Sequence, residues 1–372
     1  MKRLAALLML LPALALPLLA QAQAQPRSSQ AVHAEKLDDF INHVEDNNGG
    51  IGSLSIFKGG REVYARRFGQ QNLPGVAHDE NSRYQIASVT KMVTAILAFK
   101  LIEDGRLRLD DRLSSLFPDM PSSRQISIGN LLEHTSGLGN FAIRNGQVWV
   151  VDPLSQDEIL REIRTQGVAF EPGERVAYSN SAYFLLRMII EQVYGRDYHD
   201  IVAQEIAAPL GLRNFASTRS HPGNTFKSYA FAGQWREIKE IEYSNVIGVG
   251  DIAATTHDLN VLITALFEYR LLRRETVEQM PPRPAGSGWG RGLAEFTYGE
   301  NRFLGHGGDV LGSHSRVIYN PSDGVAIAYS TNGERIPTND FLRAVVDLCY
   351  GREGTGVRET GVRVGFRSET PL

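Results

Sequence analysis

Residues 84–104 read YQIASVTKMVTAILAFKLIED. Met92, Ile96 and Phe99 recur at helical spacing, flanked by Ala95, Leu97 and Leu101, and Gly105 is a natural stop. The pattern predicts a largely buried helix with Ser88 in its first turn. Residues i and i+3 share a helix face, so Ser88 Oγ and Lys91 Nζ can come within hydrogen-bonding reach. Burial beside the positive end of the helix dipole disfavours an ammonium. A lysine held neutral there can take the serine proton and turn a weak nucleophile into a useful one. The four residues alone also fit a serine N-cap with a solvated lysine one turn later. Spacing is not enough by itself, as Ser55-Ile56-Phe57-Lys58 shows. It lies in Ile51–Lys58, whose alternation reads as a strand ending at Gly59-Gly60, and strand residues three apart face opposite ways.

The 372-residue chain opens with Met1-Lys2-Arg3, an apolar run Leu4–Leu19 and Ala20-Gln21-Ala22-Gln23-Ala24. A basic start, an apolar middle and small-x-small cleavage sites predict a secretory signal peptide over residues 1–24. The run is short and broken by Pro12 and Pro17, which argues against a retained anchor. The expected location is therefore secreted or periplasmic, with no membrane anchor after cleavage. Removing Lys2 and Arg3 takes the formal charge of −3 to −5, and no basic stripe is present for nucleic acid. The single cysteine, Cys349, excludes an internal disulfide and falls on the apolar side of a C-terminal helix.

Along the chain, Ala31–Asp46 reads as an amphipathic helix and 51–58 with 61–68 as a hairpin. A mainly helical block follows, carrying short helices in 106–117 and 126–133, a loop over 138–151, and helices over 157–166, 181–194 and 198–207. After a polar stretch, 214–240, residues 251–271 are again helical in pattern. From about Gly288 the period changes to two, giving strands 290–298, 301–306, 313–319 and 325–331 before a closing helix over 337–350. The economical architecture is α+β: an antiparallel sheet built from both termini, flanking helices, and an inserted mainly helical domain. In residue ranges, 31–82 and 241–350 form the sheet domain and 83–240 the helical one, with the nucleophile helix at the interface. Residues 351–372 read as a loose tail.

An acyl-transfer site also needs a proton relay and donors for the oxyanion. Tyr178-Ser179-Asn180 stands between the Pro172-Gly173 turn and a long apolar helix. A phenol near a lysine can shuttle protons, and an asparagine amide can hold lysine and substrate. The second Tyr-x-Asn, Tyr243-Ser244-Asn245, has no anchoring helix directly behind it. His306-Gly307-Gly308 ends one expected strand, where two glycines let backbone approach a ligand and an edge can offer an N–H. His221-Pro222-Gly223 lies in polar loop and is set aside. No histidine shows a metal-ligand spacing, no cofactor is expected, and no Gly-x-Ser-x-Gly elbow surrounds Ser88.

Ser88-x-x-Lys91, Tyr178-Ser179-Asn180 and His306-Gly307-Gly308, in that order and about 90 and 128 residues apart, resemble the three motifs of the class C β-lactamase and DD-peptidase superfamily of serine hydrolases. Leu131–Leu138, Pro172–Asn180 and Gly305–Asn332 extend the resemblance, which spans roughly 37–350. The resemblance implies that Ser88 is acylated, that Lys91 and Tyr178 move protons, and that Asn180 positions substrate. It also implies that His306, Gly307 and Gly308 line the site, that the backbone N–H groups of Ser88 and Asp309 hold the oxyanion, and that His134 organises a loop below the cleft. Many β-lactamases of this class carry lysine where His306 stands, and members with histidine are more often DD-peptidases or esterases. A histidine is only partly charged near neutrality, so a fixed cation for a substrate carboxylate is weakened. The expected function is an exported serine hydrolase acting on a small amide, a D-amino-acid or peptidoglycan-like peptide, or an ester. A carboxylesterase, a weak β-lactamase or a non-turnover penicillin-binding sensor are the alternatives. The sequence leaves oligomeric state open.

Overall fold

Gly59 and Gly60 both take positive φ, which closes a tight hairpin between β1 (Gly50–Lys58) and β2 (Arg61–Phe68). The computed structural model describes residues 33–352 apart from 74–75, 218–223, 285 and 287. The expected signal peptide and most of the expected tail lie outside these residues, as does His221. Helix α1 (Ala34–Asp46) precedes the hairpin, and the short strand β3 (Tyr84–Gln85) leads into α2 (Thr90–Glu103). The next block holds α3 (Ile128–Leu132), a small hairpin β4 (Ile143–Arg144) and β5 (Gln147–Val148), α4 (Gln156–Gln166), α5 (Asn180–Tyr194), α6 (Tyr198–Val202) and α7 (Ala208–Leu210). Short strands β6 (Phe215–Ser217), β7 (Tyr229–Phe231), β8 (Trp235–Glu237) and β9 (Ile252–Ala254) follow, then α8 (Thr256–Phe267) and α9 (Arg274–Val277). Strands β10 (Ala294–Tyr298), β11 (Asn301–Val310), β12 (Ser313–Tyr319) and β13 (Val325–Glu334) and helix α10 (Thr338–Cys349) close the chain.

The main sheet is antiparallel with order β10-β11-β12-β13-β1-β2, so the first hairpin completes a sheet begun by the last four strands. Central strands β1 and β13 are buried on both faces, whereas the edge strand β2 alternates toward solvent. One face is covered by α1 and α10, where Phe341 stacks on Tyr329 at 4.3 Å and on Phe68 at 5.6 Å between ring centres. The other face carries α8 and the core built around α2. Cys349 is a buried core residue of the first face, and burial pushes its thiol up to about 12.

Several expectations change, among them a short helix in 106–117 that is only the 3₁₀ turn Leu113–Ser115, and three more bear on the site. The helix expected over 251–271 starts only at Thr256, because Ile252–Ala254 is drawn into a strand between β3 and β6. The loop expected over 138–151 contains the β4–β5 hairpin. The strand expected to end at His306 runs on to Val310, since β12 pairs with it through Val310. Its other neighbour, β10, reaches only Gly305. Residues 306–310 therefore keep one edge without a strand partner among the described residues.

Candidate active site

Ser88 lies in a single 3₁₀ turn, Ala87–Val89, that feeds directly into α2. Ala87 takes a φ of +45°, a region costly to a residue with a Cβ, so the turn presenting Ser88 stores backbone strain. Every residue from Thr90 to Phe99 is buried. Within that apolar helix Lys91 is fully buried, with Nζ 3.0 Å from Ser88 Oγ and donating to the Val249 carbonyl at 2.9 Å. Burial holds its ammonium well below the usual lysine range, which favours the neutral amine. The four-residue spacing thus resolves in favour of a paired serine and lysine. In Ser55–Lys58 the strand sends Ser55 to Glu62 instead.

Tyr178 arrives from the segment before α5. Its ring centre lies 4.9 Å from Lys91 Nζ, and its ring packs on His134 at 4.5 Å and on Trp289 at 4.9 Å. Burial raises the phenol above its ordinary value, an effect that the nearby Ser88 hydroxyl partly offsets although the two oxygens lack hydrogen-bond geometry. Ser179 caps α5, accepting from the Ala182 N–H at 3.2 Å, and its own N–H donates to His134 Nδ1 at 3.2 Å. Ala177 N–H donates to the His134 carbonyl at 2.8 Å. His134 therefore clamps both sides of Tyr178. Desolvation, with Lys91 and His306 nearby, holds its imidazole neutral. Asn180 donates to Asn140 Oδ1 at 3.0 Å.

His306, in β11, is fully buried beside Trp289, with ring centres 5.0 Å apart. Burial lowers its pKa to about 3. The expectation of a partly charged histidine is corrected: the imidazole is neutral at physiological pH. Its Nδ1 lies 2.6 Å from the Gly307 carbonyl, and a proton there leaves Nε2 as an acceptor. A Cβ on Gly308 would lie 2.0 Å from the Ile86 oxygen and 2.8 Å from the Ser88 nitrogen, so this strand and the nucleophile turn touch backbone to backbone. Asp309 follows. Burial disfavours its charge, but His314 at 2.8 Å and Arg316 at 3.0 Å prevail and hold the carboxyl at about 2.

Tyr178 Oη, Asn180 Oδ1 and His306 Nε2 are all buried without a protein hydrogen-bond partner among the described residues. Buried polar atoms are usually paired, so these three are available to a bound group. Ser88, Asn180 and Asp309 line a cleft of about 150 Å³ whose remaining wall is largely aliphatic, including Ile143, Val148, Val150, Ile241 and Leu311. Lys91, Tyr178, Asn180, His306, Gly308 and Asp309 thus gather about Ser88, whereas Gly307 faces Arg316. Sequence reading missed Trp289, which packs on Tyr178, His134 and His306 together, and Val249, whose carbonyl holds the lysine. A lone Trp in a glycine-rich stretch and a backbone oxygen leave no motif. The set-aside Tyr243-Ser244-Asn245 acts elsewhere, since Asn245 bonds Val150 O, Asp152 O and Leu154 N and pins a wall of the cleft.

A sheet closed by both termini, with a serine and a neutral lysine at the foot of a buried helix, defines a serine hydrolase of the penicillin-recognising kind. The β-lactamase family model matches residues 38–350, and the chain belongs to that family. It is 25% identical over 288 residues to a putative penicillin-binding protein, PbpX, of Bacillus subtilis (strain 168), covering 76% of this chain and 71% of that one. It is 25% identical to the teichoic acid D-alanine hydrolase of Staphylococcus aureus over 244 residues, 64% of this chain, and spans only 58% of that enzyme's length. Among solved structures, D-amino acid amidase from Ochrobactrum anthropi SV3 superimposes with a TM-score of 0.73 at 25% identity, over 85% of this chain and 99% of that one. The octameric penicillin-binding protein homologue of Pyrococcus abyssi gives 0.74 at 26%, over 86% and 78%. No helix of the described residues is long and apolar enough to cross a membrane.

Proposed function

We propose that the protein is an exported hydrolase that forms an acyl-enzyme on Ser88 with a small D-amino-acyl amide, peptide or ester carrying a compact apolar side chain. The observation that carries the chemistry is the fully buried Lys91 Nζ, 3.0 Å from Ser88 Oγ and fixed by Val249, where burial favours the neutral amine. As Oγ bonds to the substrate carbonyl carbon, its proton passes to Lys91 Nζ. The oxyanion settles between the backbone N–H groups of Ser88 and Asp309, with no reorganisation needed at the moment of reaction. Tyr178 hands a proton to the departing amine or alcohol, and Lys91 replenishes it. Water then attacks the ester carbon, Ser88 recovers its proton, and the acid leaves.

Support for the substrate comes from two sides. The aliphatic wall of a roughly 150 Å³ cleft suits a side chain about the size of a benzene ring. A relative named teichoic acid D-alanine hydrolase and a structural neighbour named D-amino acid amidase support the D-amino-acyl part of the reading. Neutral His306 offers no fixed cation to a carboxylate, which puts β-lactam hydrolysis behind amide and ester cleavage. The leader-like residues 1–24 carry the export reading.

The test is a panel of p-nitrophenyl esters, D- and L-amino-acid p-nitroanilides and a chromogenic cephalosporin, with intact-mass detection of the acylated chain. Steady turnover of D-amino-acyl substrates with an adduct absent from Ser88→Ala is the expected result. One equivalent of product with no steady state makes the protein a sensor, and a Ser88→Ala chain that still forms the adduct refutes the assignment.

A further inference from the structure

Resting on the reading of Lys91 as the base, we infer that Asp251 is a positioning residue for that lysine, acting through the Gly248–Val249–Gly250 turn. A neutral amine has two N–H donors and one lone pair. The Val249 carbonyl takes one N–H at 2.9 Å, so its position decides where the lone pair points relative to Ser88 Oγ. A displacement of about 1 Å is enough to spoil proton transfer.

The turn lies outside the strand ladders. The N–H groups of Val249 and Gly250 both return to the Val246 carbonyl, at 2.9 and 2.8 Å. Gly248 sits at φ +72°, against Arg187 and Tyr198, where an added Cβ would lie 2.5 Å from Arg187 Cγ. Its carbonyl accepts from Thr94 Oγ1 at 2.6 Å, and Thr94 stands about one turn beyond Lys91 on α2. Its N–H donates to Asp251 Oδ1 at 2.8 Å. The turn is thus tied to the lysine's own helix on one side and to Asp251 on the other.

Asp251 itself is fully buried. Its Oδ2 accepts from Ser217 Oγ at 2.8 Å and lies 2.8 Å from Nε2 of the partly exposed His199. Its two oxygens are held by partners from three segments of the chain. It does not line the cleft beside Ser88. Its influence on the reaction therefore runs through the turn, by fixing the carbonyl that aims Lys91.

Three variants in the full chain test this. Asp251→Ala removes the acceptor for Gly248, Asp251→Asn keeps one oxygen for it, and His199→Gln loosens the outer support. Stopped-flow acylation with a p-nitrophenyl ester gives burst amplitude, acylation rate constant and ester affinity for each. The positioning role predicts a full burst of one per chain and an affinity within about twofold of wild type. The acylation rate falls on the order of 10- to 100-fold in Asp251→Ala and less in Asp251→Asn and His199→Gln. A wild-type rate constant in Asp251→Ala, or a smaller burst at an unchanged rate constant, overturns the inference, the latter because it marks a folding role alone. Should Asp251→Ala fail to fold, Asp251→Asn and His199→Gln are judged by the same criteria. A wild-type chain that forms no acyl-enzyme refutes the hydrolase assignment itself, whereas a wild-type burst with unaltered variants refutes only this role.

Discussion

Acidification should destabilise the fold through His306 before most carboxylates titrate. In the folded chain burial holds this imidazole at about 3, while an unfolded one titrates near 6.5. A group depressed on folding contributes stability above its unfolded pKa, and that contribution drains as pH falls toward the folded value. Between about pH 6.5 and pH 4 the unfolded state gains some 2.5 pH units of preferential protonation, about 3 kcal/mol at about 1.4 per unit. That is a large share of a typical net stability of about 5–15 kcal/mol. His134, also buried and held low, acts in the same direction, while His257, raised by its bond to Glu62, acts against them. The measurement is urea denaturation at several pH values from about 7 to 4 for wild type and His306→Gln, which keeps a polar side chain that cannot titrate. Wild type should lose about 3 kcal/mol more than the variant across that window. Parallel losses would mean that His306 is already protonated or solvated in the folded chain, and the account of a neutral imidazole beside the nucleophile would be wrong.

Tyr178→Phe should lower acylation by about 10²- to 10⁴-fold with little change in ester affinity, because it removes a proton carrier while leaving the ring on His134 and Trp289; single-turnover kinetics separate the two. Gly308→Ala would place a methyl carbon 2.0 Å from the Ile86 oxygen and 2.8 Å from the Ser88 nitrogen. Acylation should fall by about 100-fold or more, with thermal stability reduced by about 1–3 kcal/mol, measured by burst kinetics and melting. Val148→Asp, on the exposed lip of the aliphatic wall, should raise KM for apolar D-amino-acyl substrates by about fivefold or more and leave the acylation rate with a p-nitrophenyl acetate control nearly unchanged.

Local order in the chain made much of this legible. Helical spacing over 84–104 announced a buried helix with a serine and a lysine on one face, and Gly59-Gly60 announced the hairpin that completes the sheet. The period-two segments near the C-terminus marked the four strands, although the run through Gly307 and Gly308 looked like an ending because two glycines carry no side-chain signal. The helix expected from Asp251 failed for a related reason. Pairing of Ile252–Ala254 with two distant short strands overrode local propensity, and it freed Asp251 to face Gly248.

By itself the sequence determined the α+β class and singled out Ser88 as the candidate nucleophile with its lysine and the Tyr-x-Asn and His-Gly-Gly motifs, because each is written in residues close together or in a motif order. Only the tertiary structure decided how completely Lys91 and His306 are buried, which favours the neutral form of both, and that Trp289, His134 and the Val249 carbonyl pack around them. Protonation states follow from burial, and burial is made by side chains brought together from segments far apart in the chain.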